Sequence, residues 1–177
     1  REQTLQSIAL MREPDAVTLF ESLLESREDK ERELSVEGLA RLEYDASGFA
    51  VRMEEEGDEN VRLAMAFALV PTGEPSYMQM LVDALDTRRS NQAEVYLYEL
   101  GRFEGQIAQI YPHLRNPESD IRERLLGVLG RIGDPTARPY VQPLTEDRDT
   151  DVASAAVAAV NRSVASSSSV KSISKSV

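Results

Sequence analysis

A single histidine, His113, no cysteine, and five acids packed into residues 54–59 are what this chain brings to metal or acid–base chemistry. Without cysteine there is no disulfide, no thiolate zinc site and no cysteine nucleophile. A metal centre at His113 would have to recruit Asp and Glu alone, and no ligand cluster accompanies it in sequence. The acidic run Glu54, Glu55, Glu56, Asp58 and Glu59 lacks the spacing of an EF-hand loop. It reads better as a solvated connection in which Glu59 and Asn60 favour the start of the next helix than as a contact for a cation or a basic partner. The glycine-containing stretches at 101–105 (GRFEG) and 130–134 (GRIGD) read as helix stops, not as phosphate-binding loops. No residue is therefore assigned a catalytic or metal-binding role, no cofactor is expected, and the chain is expected not to be an enzyme.

The elements that carry these residues are legible from a repeat. The segment Ile121–Pro135 (IRERLLGVLGRIGDP) recurs without a gap at 61–75 (VRLAMAFALVPTGEP), and in weaker form at 92–105, 31–45, 151–162 and 1–14. One apolar column runs Ile8, Leu39, Leu69, Leu100, Leu129 and Val160, in steps of 31, 30, 31, 29 and 31. A second column lies three residues earlier: Leu5, Val36, Ala66, Leu97, Leu126 and Val157. Residues three apart share a helix face. Lys30, Asn60, Asn91, Asp120 and Asp151 stand just before these helices on this reading, and four of the five are good N-caps. Arg1, Arg32, Arg62 and Arg122 form an arginine column, broken by Ala93 and Ala153.

Shorter apolar segments between these helices carry Phe20, Val51, Leu81 and Val141 at equivalent places. Each reads as a second helix, opened by Pro14, Pro75 or Pro135 where a missing N–H does no harm. Pro112, Pro139 and Pro143 are expected to shorten or bend the last two. A period near 30 residues built of helix pairs means a stacked array in which neighbours complete one another's core.

The motif Asp120-Ile121-Arg122, Leu129-Gly130 and Ile132-Gly133-Asp134-Pro135, echoed by Asn60-Val61-Arg62, Leu69 and Gly73-Glu74-Pro75, resembles the HEAT repeat, in its short PBS-lyase-type form. The resemblance covers residues 1–162 and implies an all-α solenoid of about five to six helical hairpins. Arg1 falls inside the arginine column, so the first helix is expected to be truncated at its N-terminus and the chain to be part of a longer one. The Ser-rich stretch 163–177 is expected to be a flexible tail or linker.

Relatives of this repeat type include phycobilin lyases, which makes a bilin-lyase-type enzyme or accessory subunit the alternative reading. Di-iron hydroxylases with the fold rely on His-Glu pairs, and none occurs here. The resemblance implies a non-catalytic scaffold that binds another protein or peptide along its concave face. Tyr77, Gln79, Asp83, Gln109 and His113, on second helices, are the expected contacts. The tyrosines and methionines at helical spacing, Tyr96, Tyr98, Tyr111, Tyr140, Met78 and Met80, are core or groove residues on this reading.

Charge narrows the partners. The net charge is −11, and 17 of the 20 basic residues are arginine, a balance that fits a high-GC or salt-adapted source. No apolar run reaches the roughly 18 residues of a membrane span and no signal peptide is visible, so the chain is expected in the cytoplasm. An average field of that sign repels nucleic acid. Duplex DNA should show no binding at physiological salt in an anisotropy titration, and salt-sensitive micromolar affinity would contradict this reading.

Overall fold

The long helices start two residues earlier than the sequence pattern places them, two of them on side-chain caps. In the computed structural model, which describes residues 2–11 and 14–173, Lys30, Asn60, Asn91, Asp120 and Asp151 all lie inside helices. The capping positions are Glu28, Asp58, Arg89, Glu118 and Asp149. The Asp58 carboxylate accepts from the N–H groups of Asn60 and Val61 at 2.8 and 3.1 Å. The Asp149 carboxylate accepts in the same way from Asp151 and Val152 at 3.0 and 3.2 Å. These acids, and not the polar residues after them, satisfy the orphan donors of the first turn.

The described residues contain only helical elements and the turns between them, and they divide into two units at Leu81/Val82. The first unit contains α1 (Glu2–Met11), α2 (Val17–Leu23), α3 (Asp29–Arg41), α4 (Phe49–Glu55), α5 (Glu59–Leu69) and most of α6 (Pro75–Asp83). The second contains α7 (Ser90–Glu99), the 3-10 segment Gln106–Arg115, α8 (Ser119–Ile132), α9 (Arg138–Val141), the 3-10 segment Gln142–Glu146 and α10 (Thr150–Ile173). Within the first unit α1, α3 and α5 pack in succession, and within the second α7, α8 and α10 do the same. The shorter segments lie against the long helix that follows: α2 on α3, α4 on α5, Gln106–Arg115 on α8, and Gln142–Glu146 on α10. This is the nearest-neighbour stacking of an all-α solenoid.

The apolar columns account for most of the core. Leu39, Leu69, Leu100 and Leu129 are buried, as are Val36, Ala66, Leu97 and Leu126. The register departs in two places. Val157 is 47% exposed, because α10 buries Val152, Ala156, Ala159 and Ser163 instead. Among the described residues no helix follows α10, so the stripe that faces a following repeat in α8 has nothing to cover it. Val51 is exposed because α4 buries Phe49 and Met53, four residues apart on one face, which puts Val51 on the other. The proline that aligns the second segments elsewhere is missing from this one.

Proline acts as expected at Gln106–Arg115, which winds as a 3-10 helix around Pro112, and at 135–146, where α9 is reduced to one turn between 3-10 pieces. Gly133 closes α8 with φ of 70°, and its N–H reaches the Leu129 carbonyl at 2.9 Å, an αL cap that a side chain would strain. The backbone of α10 stays helical to Ile173, through most of the stretch expected to be a flexible tail. Residues 163–177 contain no glycine or proline to stop it. Arg1, expected inside a truncated helix, lies outside the described residues, as do 174–177.

One close approach was not legible as a column. Gly38, in the middle of α3, faces Phe20 of α2, and a Cβ there would lie 2.5 Å from the ring. Phe20 is 1% exposed and has no room to withdraw. Glycine costs helix stability, so Ala would ordinarily help at this site. Here Gly38→Ala should instead destabilise, by about 1–3 kcal/mol of overpacking. Urea melts of the two proteins measure the difference, and a more stable variant would mean that α2 does not pack as described.

Candidate functional site

The loops ahead of the long helices share a feature that the apolar columns do not reveal. Ser26, Glu56, Thr87, Asn116 and Asp147 each accept, through a side-chain oxygen, from the N–H two residues on, at 2.8 to 3.2 Å. These are side-chain turns that let the chain reverse before the cap residue. In each unit one of them also receives an arginine. Arg32 donates through Nε and Nη2 to the two oxygens of Glu56 at 2.9 and 2.8 Å, and through Nη1 to the Ser26 carbonyl at 2.8 Å. Arg122 repeats the pattern on Asp147 at 3.1 and 3.0 Å and on the Asn116 carbonyl at 2.8 Å. Two members of the arginine column, Arg32 and Arg122, are thus forks, while Arg62 is exposed. Each fork ties the loop before its own helix to the loop before the next, using the planar guanidinium as only arginine can. Where the column holds Ala93, the following loop holds the neutral Asn116.

These pairs absorb the acidic run. Glu56 and Asp58 do the capping that the sequence reading gave to Glu59 and Asn60, and Glu56 is the partner of Arg32. The fork holds the Glu56 carboxyl below its ordinary value, and Arg122 does the same for Asp147. The Asp149 carboxyl is lowered first by the Val152 N–H. A cavity of about 370 Å3 in the first unit lies beside this fork, lined by Leu24, Glu25, Arg32, Arg52, Glu56 and Met65 among others. Its two arginines are already matched, Arg32 with Glu56 and Arg52 with Glu25 at 2.6 Å. Among the described residues no three His, Asp or Glu side chains are grouped to hold a metal ion.

The five expected contact residues fall in both units. In the first, Tyr77 is half-buried and Gln79 is exposed on α6. In the second, Asp83 is exposed, while Gln109 is half-buried and donates to Gln106. His113 is half-buried, and desolvation lowers its pKa while the Asp83 carboxylate opposes that shift. The geometry therefore brings Asp83 and His113 into electrostatic range of one another, and burial favours the neutral imidazole. Of the other aromatic candidates, Met78 and Tyr96 belong to the core. Tyr98 lies under the Arg131 guanidinium, 4.6 Å from its ring centre.

An open, largely apolar feature of the second unit was missed as a site. Between Gln106–Arg115 and residues 139–147 lies a groove of about 600 Å3, walled by Tyr111, Pro112, Arg115, Pro139, Tyr140 and Pro143, among others. Tyr140 stacks on Tyr111 with ring centres 4.1 Å apart and planes 16° apart. The Tyr111 hydroxyl is held by Thr136 at 3.0 Å, and burial raises its pKa. Tyr140 is 51% exposed. The signal available in the sequence was the coincidence of Tyr111-Pro112 with Pro139-Tyr140 one repeat later. There the prolines read as helix bending and the tyrosines as core or groove residues.

No family model matches the chain, and neither does any curated protein. Among solved structures it is similar to an engineered protein determined as a structural-genomics target, at 15% identity over 91% of this chain and 89% of that one, with a TM-score of 0.41. It is also similar to a designed armadillo repeat protein, at 11% identity over 91% and 92% of the two chains, with a TM-score of 0.40. The chain is a helical repeat protein on the strength of its own columns and stacking. Among the described residues no helix is long and apolar enough to cross a membrane.

The forks set a pH dependence. The folded pKa of Glu56 lies below its ordinary value of 4.5. The stability it contributes is therefore complete above that value and is lost as pH falls through the lowered one. Urea midpoints should drop between about pH 5 and about pH 3, and Glu56→Gln should flatten that acid limb. The same variant should cost about 1–3 kcal/mol near pH 7, because Arg32 keeps a weaker acceptor. An acid limb identical in the two proteins would show that the fork contributes nothing.

Proposed function

We propose that this chain is a non-catalytic binding module of the HEAT-like kind, whose second segments present the surface that a protein partner engages. The observation that carries the reading is the groove at Tyr140. Tyr140, a large side chain that the fold could have buried, is left open there, beside exposed prolines that donate no N–H. Rigid aromatic residues of this kind, half-exposed in a preformed recess, are the usual anchors of protein recognition. Elsewhere Glu56, Asp58, Asp147 and Asp149 are engaged in turns, caps and the arginine forks.

The contact set has two parts. In the first unit it comprises Tyr77 and Gln79. In the second it comprises Asp83, Gln109 and His113, with Tyr140 added as the anchor. An α-solenoid hosts many activities, so the fold by itself selects none of them, and the groove is what favours binding.

Peptide display on the whole chain tests the proposal. Selected peptides should bind, and Tyr140→Ala should weaken them at least tenfold, with unchanged helicity by circular dichroism because Tyr140 supports little of the core. A selection that enriches no peptide, or peptides indifferent to Tyr140, would overturn the groove as the interaction surface.

A further inference from the structure

Taking the binding-module reading as its basis, we infer that the groove at Tyr140 accepts an extended, proline-containing peptide segment carrying a carboxylate, which Arg115 receives. Three features of the groove select this occupant.

The first is what the walls lack. Pro112, Pro139 and Pro143 have no backbone N–H to offer, so at these three positions the walls donate nothing to a strand's main chain. Its contacts are ring faces: the pyrrolidines and the stacked pair Tyr111 and Tyr140. A polyproline II segment asks for little else, since it arrives already extended and loses little entropy on docking into aromatic-lined grooves.

The second is the Tyr140 hydroxyl. Among the described residues it has no hydrogen-bond partner, whereas the Tyr111 hydroxyl is taken by Thr136. A polyproline II backbone has carbonyls with no internal donor. The geometry therefore leaves one donor on the ring that such a peptide would cross.

The third is charge. Of the two charged residues that line the groove, Asp147 is neutralised by the bidentate fork from Arg122. Arg115 is exposed and makes no ion pair among the described residues. In a chain of net charge −11, the uncompensated charge lining this groove is positive, and the complementary occupant is an anion. A compact acidic ligand such as a planar carboxylate would also satisfy the arginine. Small-molecule sites, however, enclose most of the ligand's surface. This groove is an open trough, with Pro112, Pro139, Tyr140 and Pro143 all exposed.

Fluorescence anisotropy with the whole chain decides the matter. The probes are fluorescein-labelled peptides of six prolines with two glutamates at one end or the other, the same peptides with two lysines, and a Gly-Ser peptide with two glutamates. At least one proline–glutamate probe should bind, at least tenfold tighter than its lysine counterpart and than the Gly-Ser control. Arg115→Glu should reverse the order of the glutamate and lysine probes. Tyr140→Ala should weaken the proline probes at least tenfold, and Tyr140→Phe less.

The inference is overturned if the Gly-Ser acid binds as well as the proline–glutamate probes, or if Arg115→Glu leaves the order unchanged. It is also overturned if display yields Tyr140-dependent peptides lacking proline and acid, an outcome in which the binding-module reading survives. If display enriches nothing while a linear tetrapyrrole carboxylate binds in a Tyr140-dependent manner, both the inference and that reading fail.

Discussion

A helix pair of about thirty residues cannot cover its own apolar stripe, and every other feature of this chain follows from that shortage. Val36 and Leu39 of α3 are buried only because α1 and α5 flank them, and Leu126 and Leu129 of α8 depend in the same way on α7 and α10. Stability in such an array is carried between neighbours and not within a pair. The exposed Val157 on α10 shows the converse, since a helix with no following neighbour among the described residues leaves the equivalent face uncovered.

Stacking by apolar contact alone would leave the units free to slide, because hydrophobic contact has no direction. The arginine forks supply direction. Each places a guanidinium where one loop carbonyl and the next loop's carboxylate both fall within hydrogen-bond distance, so the angle between consecutive pairs is tied to the geometry of one side chain. The acceptors are themselves the side chains that shape the turns. Glu56 and Asp147 therefore form the turn, receive the fork and lie just ahead of a helix cap.

The division of labour between long and short segments follows. The middle long helix of each unit, α3 and α8, sandwiched on two sides, spends its side chains on packing. The short segments contact the array on one side and leave the other free. Proline breaks the last two of them into 3-10 turns, which spreads Tyr111, Pro112, Pro139 and Tyr140 along a recess instead of folding them into a smooth helical face.

The sequence by itself determined the period, the apolar columns and the all-α class, because core positions in a stacked array must recur at the same helical phase. It also showed where proline would interrupt the short segments. It misplaced the helix starts by two residues, since Asn60 and Asp151 look like caps in isolation, and only the folded loop shows Asp58 and Asp149 reaching the free N–H groups. The column at Ser26, Glu56, Thr87, Asn116 and Asp147 escaped notice because five different residues do one job there, and an oxygen two residues before the cap is all that they share. The pairing of Arg32 with Glu56, the fit of Phe20 over Gly38 and the stacking of Tyr111 on Tyr140 were likewise decided by tertiary structure. Each joins residues some eighteen to thirty apart in sequence, and the distance between two such side chains is set by how one helix packs on the next, which periodicity does not specify.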